Sequence, residues 1–138
     1  MKDNPYREDR EQIRELLKQY ENLKNGRSHS FIEEDSFEKI INYFQEKDDL
    51  AKAIEAADAG IEQYPYSSLL LVKKADILIA GRNYQKALII LERAALLDSN
   101  DINIYILKTD AYMALDQQEK AVALLEEALL LFEGEERM

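Results

Sequence analysis

The chain has 138 residues, 46% hydrophobic and 33% charged, which is enough apolar material for one domain with a core and too much for a disordered polymer. Eighteen Lys and Arg against 28 Asp and Glu give a net charge of -10, which repels phosphate backbones and anionic lipid and argues against nucleic acid or membrane surfaces as partners. The lack of Cys removes disulfides, thiolate metal sites and cysteine nucleophiles, and four Gly with two Pro punctuate too little for an all-β fold, so an all-α chain is expected.

The opening MKDNPYREDREQ is charged where a secretory leader would be apolar, and no run reaches the roughly 18 apolar residues of a membrane-spanning helix. A cytoplasmic location is the expectation. Next, Ile13, Leu16, Leu17, Tyr20 and Leu23 recur three or four residues apart, an apolar stripe on a charged helix that starts at Asn4 and Pro5 and stops at Lys24, just before Gly26. That stripe has to pack on something. Three arrangements stay open: a cap on the next helices, an internal ligand across a binding groove, or a contact to another subunit.

The linker RSHS follows, and its His29 is the only His in the chain, without the second His or Cys that a metal site needs. It reads as a solvated loop residue. Ser30 with Glu33 reads as a capping box before the next helix.

From Glu34 onward the pattern is periodic. Helices are expected at Glu34 to Glu46, Leu50 to Gln63, Ser68 to Ala80, Tyr84 to Leu97, Ile102 to Ala114 and Gln118 to Phe132, with turns at KDD, GRN and LDQ. Gly81 is placed in the middle turn, where a positive φ is useful. The segments KAI at Lys52, KAL at Lys86 and KAV at Lys120 recur every 34 residues. The same spacing relates Gly60, Ala94 and Ala128; Phe37, Leu71 and Tyr105; and Phe44, Leu78 and Tyr112.

These residues resemble the tetratricopeptide repeat, whose 34-residue unit carries aromatic and small residues in its first helix and Ala in its second. The aromatic positions appear as Phe37 and Phe44, the small position as Ile41, Ala75 and Thr109, and the second-helix Ala as Ala53, Ala87 and Ala121. A small side chain there lets the two helices of a unit approach closely. The closing Pro survives only as Pro65, with Ser99 and Glu133 later, and Lys74 and Lys108 replace an aliphatic; each Lys is expected to lay its stem on a neighbouring helix and keep its ammonium in water. The resemblance implies an all-α right-handed superhelix of three helix-turn-helix repeats after an N-terminal helix. It is divided as 1–33, 34–67, 68–101 and 102–135 within one domain.

The resemblance also implies that the first helices of successive repeats line a concave, partner-binding surface. The candidate contacts are Asn42 in the first repeat, Leu69, Val72, Lys73, Asp76 and Ile79 in the second, and Asn103, Ile106, Leu107, Asp110 and Met113 in the third. Family members that clamp chaperone C-termini use Lys, Asn, Asn, Lys and Arg there. Here the matching places hold Glu38, Asn42, Lys73, Asn103 and Leu107, a single cation where carboxylate capture needs several. Apolar walls with Asp76 and Asp110 suit instead an amphipathic helix or extended segment with apolar anchors and one or two basic residues.

The last helix is apolar almost all round, and terminal repeats normally carry a polar outer face. Leu125, Leu129 and Phe132 therefore mark either a homo-oligomer face or the place where further repeats follow, as in the longer bacterial tetratricopeptide proteins that the chain resembles. No phosphate loop, GxSxG or HExxH occurs, and the acidic runs read as solvated helix faces. No enzyme activity and no cofactor is expected. A protein- or peptide-binding scaffold is the leading function, with a self-assembling structural module as the alternative.

Overall fold

Local capping chemistry and a few backbone hydrogen bonds mark several of the helix boundaries. The structure, a computed structural model, describes residues 5–26 and 31–136, with side chains over 10–26 and 31–133. Among these residues the chain is all helical: α1 (Pro5–Lys24), α2 (Glu34–Glu46), α3 (Leu50–Gln63), α4 (Ser68–Ala80), α5 (Tyr84–Leu97), α6 (Ile102–Ala114) and α7 (Gln118–Glu136). The helices α2 to α6 start and stop where the sequence placed them. α7 continues past Phe132 to Glu136, because Gly134 costs a helix only about 1 kcal/mol and glutamates flank it.

Three of the starts carry a side-chain N-cap bond, whereas Asn83 before α5 makes none. Asp49 accepts from the Lys52 N–H at 3.1 Å, Ser67 from the Leu70 N–H at 3.1 Å, and Asp101 from the Asn103 N–H at 2.9 Å. At α2 the expectation of a Ser30 cap needs correction. Ser30 lies outside the described residues, as do His29 and Asn4, and the N-cap of α2 is Glu33, whose side chain makes no cap hydrogen bond. Glu33 thus holds the N-cap itself and not the third helical position that a capping box gives it.

The three turns inside the repeats close identically. Asp49, Asn83 and Gln117 donate their N–H to the carbonyls of Phe44, Leu78 and Tyr112 at 2.9, 2.7 and 2.8 Å, and the residue before each donates to Gln45, Ile79 and Met113. This is the Schellman closure, which needs one residue in the left-handed region. That residue is Asp48, Arg82 and Asp116 in turn, at φ 57, 62 and 60°. The expectation for Gly81 is thereby corrected: it is the C-cap at φ -86°, and the left-handed position falls one residue later, on Arg82. Glycine does fill that role after α1, where Gly26 sits at φ 69° and donates its N–H to Leu23.

The chain divides into two compact units, Met1–Tyr64 and Pro65–Met138. In the first, α1 packs on α2 and α2 on α3 around Phe37, Ile40, Ile41, Ala53, Ala56 and Ala57, all fully buried. Tyr20 is the most buried residue of the α1 stripe, its ring 6.4 Å from that of Phe44. Within this unit α1 therefore covers the first repeat. The segment after the linker is tied down by Tyr64, which donates its hydroxyl to the Ile32 carbonyl at 2.7 Å while its ring stands edge-on to Phe37.

In the second unit α4 packs on α5, α6 on both α4 and α5, and α7 on α6. Leu70, Leu71, Ala75, Ile77, Ala87, Leu91 and Ala94 are closed off from water, and burying each large aliphatic contributes about 1.5–3 kcal/mol. Ala53, Ala87 and Ala121 are all buried, as close helix approach within each repeat requires. Thr109, at the small position of the third repeat, spends its hydroxyl locally by donating to the Tyr105 carbonyl at 2.8 Å. Lys108 departs from the snorkelling expectation. Its side chain is only 13% exposed, and its ammonium meets the Glu92 carboxylate on α5 at 2.9 Å. An ion pair holds the position where an aliphatic residue was expected.

Candidate functional site

The caps at Ser67 and Asp101 fix the first turns of α4 and α6, and those turns line a depression of about 280 Å³. On α4 Leu69, Lys73 and Asp76 fall at i, i+4 and i+7, one face of the helix, with Val72 beside them. On α6 the lining residues are Asn103, Ile106 and Leu107. The structure thus brings together seven of the sequence-derived contacts and adds Asp101, whose carboxylate caps α6 at the mouth of the groove. The signal for Asp101 was an Asp immediately before a helix start.

The other expected contacts lie elsewhere. Ile79, Asp110 and Met113 sit in the last turns of α4 and α6, beyond the lining residues. Asn42 belongs to the other compact unit, half-buried on α2. Val72 is 9% exposed and supplies wall more than contact, whereas Leu69 at 38% and Ile106 at 48% offer accessible apolar surface. Two carboxylates, Asp76 and Asp101, oppose the one Lys73 ammonium, so the groove is apolar with an acidic bias.

A second depression, of about 500 Å³, lies between α6 and α7. Leu125, Leu129 and Phe132 all line it, with Ile102, Tyr105, Ile106, Ala128 and Glu133. Ile106 therefore borders both hollows. Tyr105 stands edge-on to Phe132 at 5.9 Å and donates to Glu127 at 3.4 Å. Burial and the neighbouring Glu127 carboxylate raise its pKa.

In the first unit a smaller hollow of about 200 Å³ is lined by Leu17, Tyr20 and Lys24 from α1 and by Tyr43, Phe44, Lys52 and Glu55 from α2 and α3. Glu55 accepts from the Tyr20 hydroxyl at 3.5 Å and pairs with Lys24. Burial first, and then Glu55, push Tyr20 well above the ordinary tyrosine value, and the hydrogen bond to Glu55 raises Lys24. These contacts fasten α1 to α3. Among the described residues no cluster of His, Cys, Asp and Glu converges to hold a metal ion, and no helix is long and apolar enough to cross a membrane.

No protein-family model matches the sequence, and comparison with curated proteins gives no match either. Solved structures do match. The second TPR of Spaghetti (RPAP3), solved bound to the HSP90 peptide SRMEEVD, is 24% identical over 71% of this chain and 91% of that one, with a TM-score of 0.66. The TPR domain of Arabidopsis OM64 is 18% identical over 71% of this chain and 81% of that one, also at 0.66. A double mutant of MamA RS-1 is 20% identical over 91% of this chain and 74% of that one, at 0.68. The fold is therefore that of the tetratricopeptide repeat: sequential helix-turn-helix units, reached here at low sequence identity.

Proposed function

We propose that this chain is a non-catalytic interaction scaffold that binds a peptide or amphipathic helix in the groove between α4 and α6. The observation that carries this reading is the groove itself, whose Leu69, Ile106 and Leu107 walls surround the carboxylates of Asp76 and Asp101. Apolar surface supplies the affinity and the acids supply register, so the preferred ligand carries aliphatic or aromatic anchors and one or two Lys or Arg side chains. A structural neighbour solved with a bound peptide supports the general mode. Its acidic SRMEEVD ligand does not suit this groove, where carboxylates outnumber the single lysine.

The test is selection from a phage-displayed library of random peptides against the intact chain. Enriched sequences are expected to combine apolar anchors with basic residues. Leu69→Lys should reduce capture at least about tenfold with the far-UV circular dichroism unchanged, since a buried lysine in an apolar contact forfeits on the order of 2 kcal/mol. Leu69 is the discriminating choice because it lines this groove and not the α6–α7 hollow, whereas Ile106 borders both. Enrichment of acidic peptides, or capture indifferent to Leu69→Lys, would defeat the proposal.

A further inference from the structure

Half of the residues lining the hollow between α6 and α7 repeat, in register, a surface that the same unit buries, while Ile102, Leu129, Phe132 and Glu133 stand 34 positions after Ser68, Ala95, Asp98 and Ser99, which are not buried. Tyr105, Ile106, Leu125 and Ala128 line the hollow, and the residues 34 positions earlier are Leu71, Val72, Leu91 and Ala94, all buried. Those earlier residues sit on α4 and α5, the two helices against which α6 packs. On α6 the Lys108 ammonium reaches Glu92 of α5 at 2.9 Å, and Ile104 and Ala111, four before and three after it, share its side of the helix and are both buried. The acid recurs as well: Glu126, exposed on α7, holds the register position of Glu92. Helix α7 carries six glutamates, Glu126 among them, against Lys120 alone, so its field favours a cation.

We propose that the α6–α7 face is a docking site for an amphipathic helix of a second polypeptide, laid on it as α6 is laid on α4 and α5. The recognition pattern is the one α6 displays: an aliphatic residue, a Lys or Arg four residues on, and a small residue three further. The aliphatic and small residues close over Leu125, Ala128 and Leu129, and the cation meets Glu126. The face continues an interface the unit already builds, and it is separate from the α4–α6 groove except at Ile106.

The experiment uses the intact chain and a fluorescein-labelled synthetic peptide with the sequence of residues 101–117, followed by anisotropy. Saturable binding is expected. The peptide carrying Lys108→Glu should bind about fivefold more weakly, as the loss of one ion pair allows, and the Glu126→Lys protein should recover that loss. Leu129→Lys, on a side chain 63% exposed, should abolish binding of both peptides without altering helicity. Absence of binding, or binding that survives Leu129→Lys because the peptide has replaced α6 within the chain, overturns the proposal. So does light scattering that shows a dimer lost on Leu129→Lys and not dissociated by the peptide, since a second copy is then the occupant.

Discussion

Helices α5 and α7 hold the same place in consecutive repeats and carry matching residues at matching positions, yet their environments differ. Leu91 is fully buried and Leu125, its counterpart, is 49% exposed; Ala94 is fully buried and Ala128 is partly open. The difference lies in what covers them. α6 packs on α5, whereas among the described residues no helix follows α7. Burial at these two positions is thus conferred by a neighbour and not by residue type, since the same Leu and Ala are interior on α5 and partly open to water on α7.

The largest expected effect tests that contrast directly. Leu91→Ala should cost about 3 kcal/mol in denaturant unfolding, through lost burial and an unfilled cavity, while Leu125→Ala should cost about 1 kcal/mol or less. Equal costs would mean that the α7 face is covered in solution, which addition of the α6 peptide could then imitate.

High pH sharpens the same comparison. The pKa of Tyr105 is raised in the fold by burial and Glu127, so its stabilisation is complete below the ordinary tyrosine value of 10.0 and is lost as pH rises past it. The equivalent Leu71 has nothing to ionise. Tyr105→Phe should therefore lessen the alkaline fall in stability measured by unfolding at successive pH values, and an unchanged slope would remove Tyr105 from the account. The smallest effect concerns the turn between α4 and α5. Arg82→Gly relieves a left-handed side chain but loosens the unfolded state, for a net gain of about 0.5 kcal/mol in the same assay.

The fold was legible because the period of 34 and the caps both act locally. The side chains of Asp49, Ser67 and Asp101 cap their helices within two or three residues, so helix starts depend on nearby sequence more than on distant packing. The turn geometry was hidden because main-chain hydrogen bonds place the left-handed residue, and they select Arg82 although a glycine stands next to it. The site was half legible for a related reason. Helical register identifies the face that Leu69, Lys73 and Asp76 share but not how far the groove runs along the axis, so it extends to Ile79, Asp110 and Met113, which do not line the groove, and stops short of Asp101, which does. Likewise the spacing that replaced an aliphatic by Lys108 gave no hint of Glu92 waiting on the preceding helix.

The three turns have one further consequence. Their closure uses carbonyl and amide groups alone, and KDD, GRN and LDQ follow the same path with different side chains. Each turn is in effect a standard joint with matched ends. A 34-residue cassette cut within one turn can be moved to another with its backbone already in register, which makes the repeat an interchangeable part for building longer or shuffled arrays from this chain.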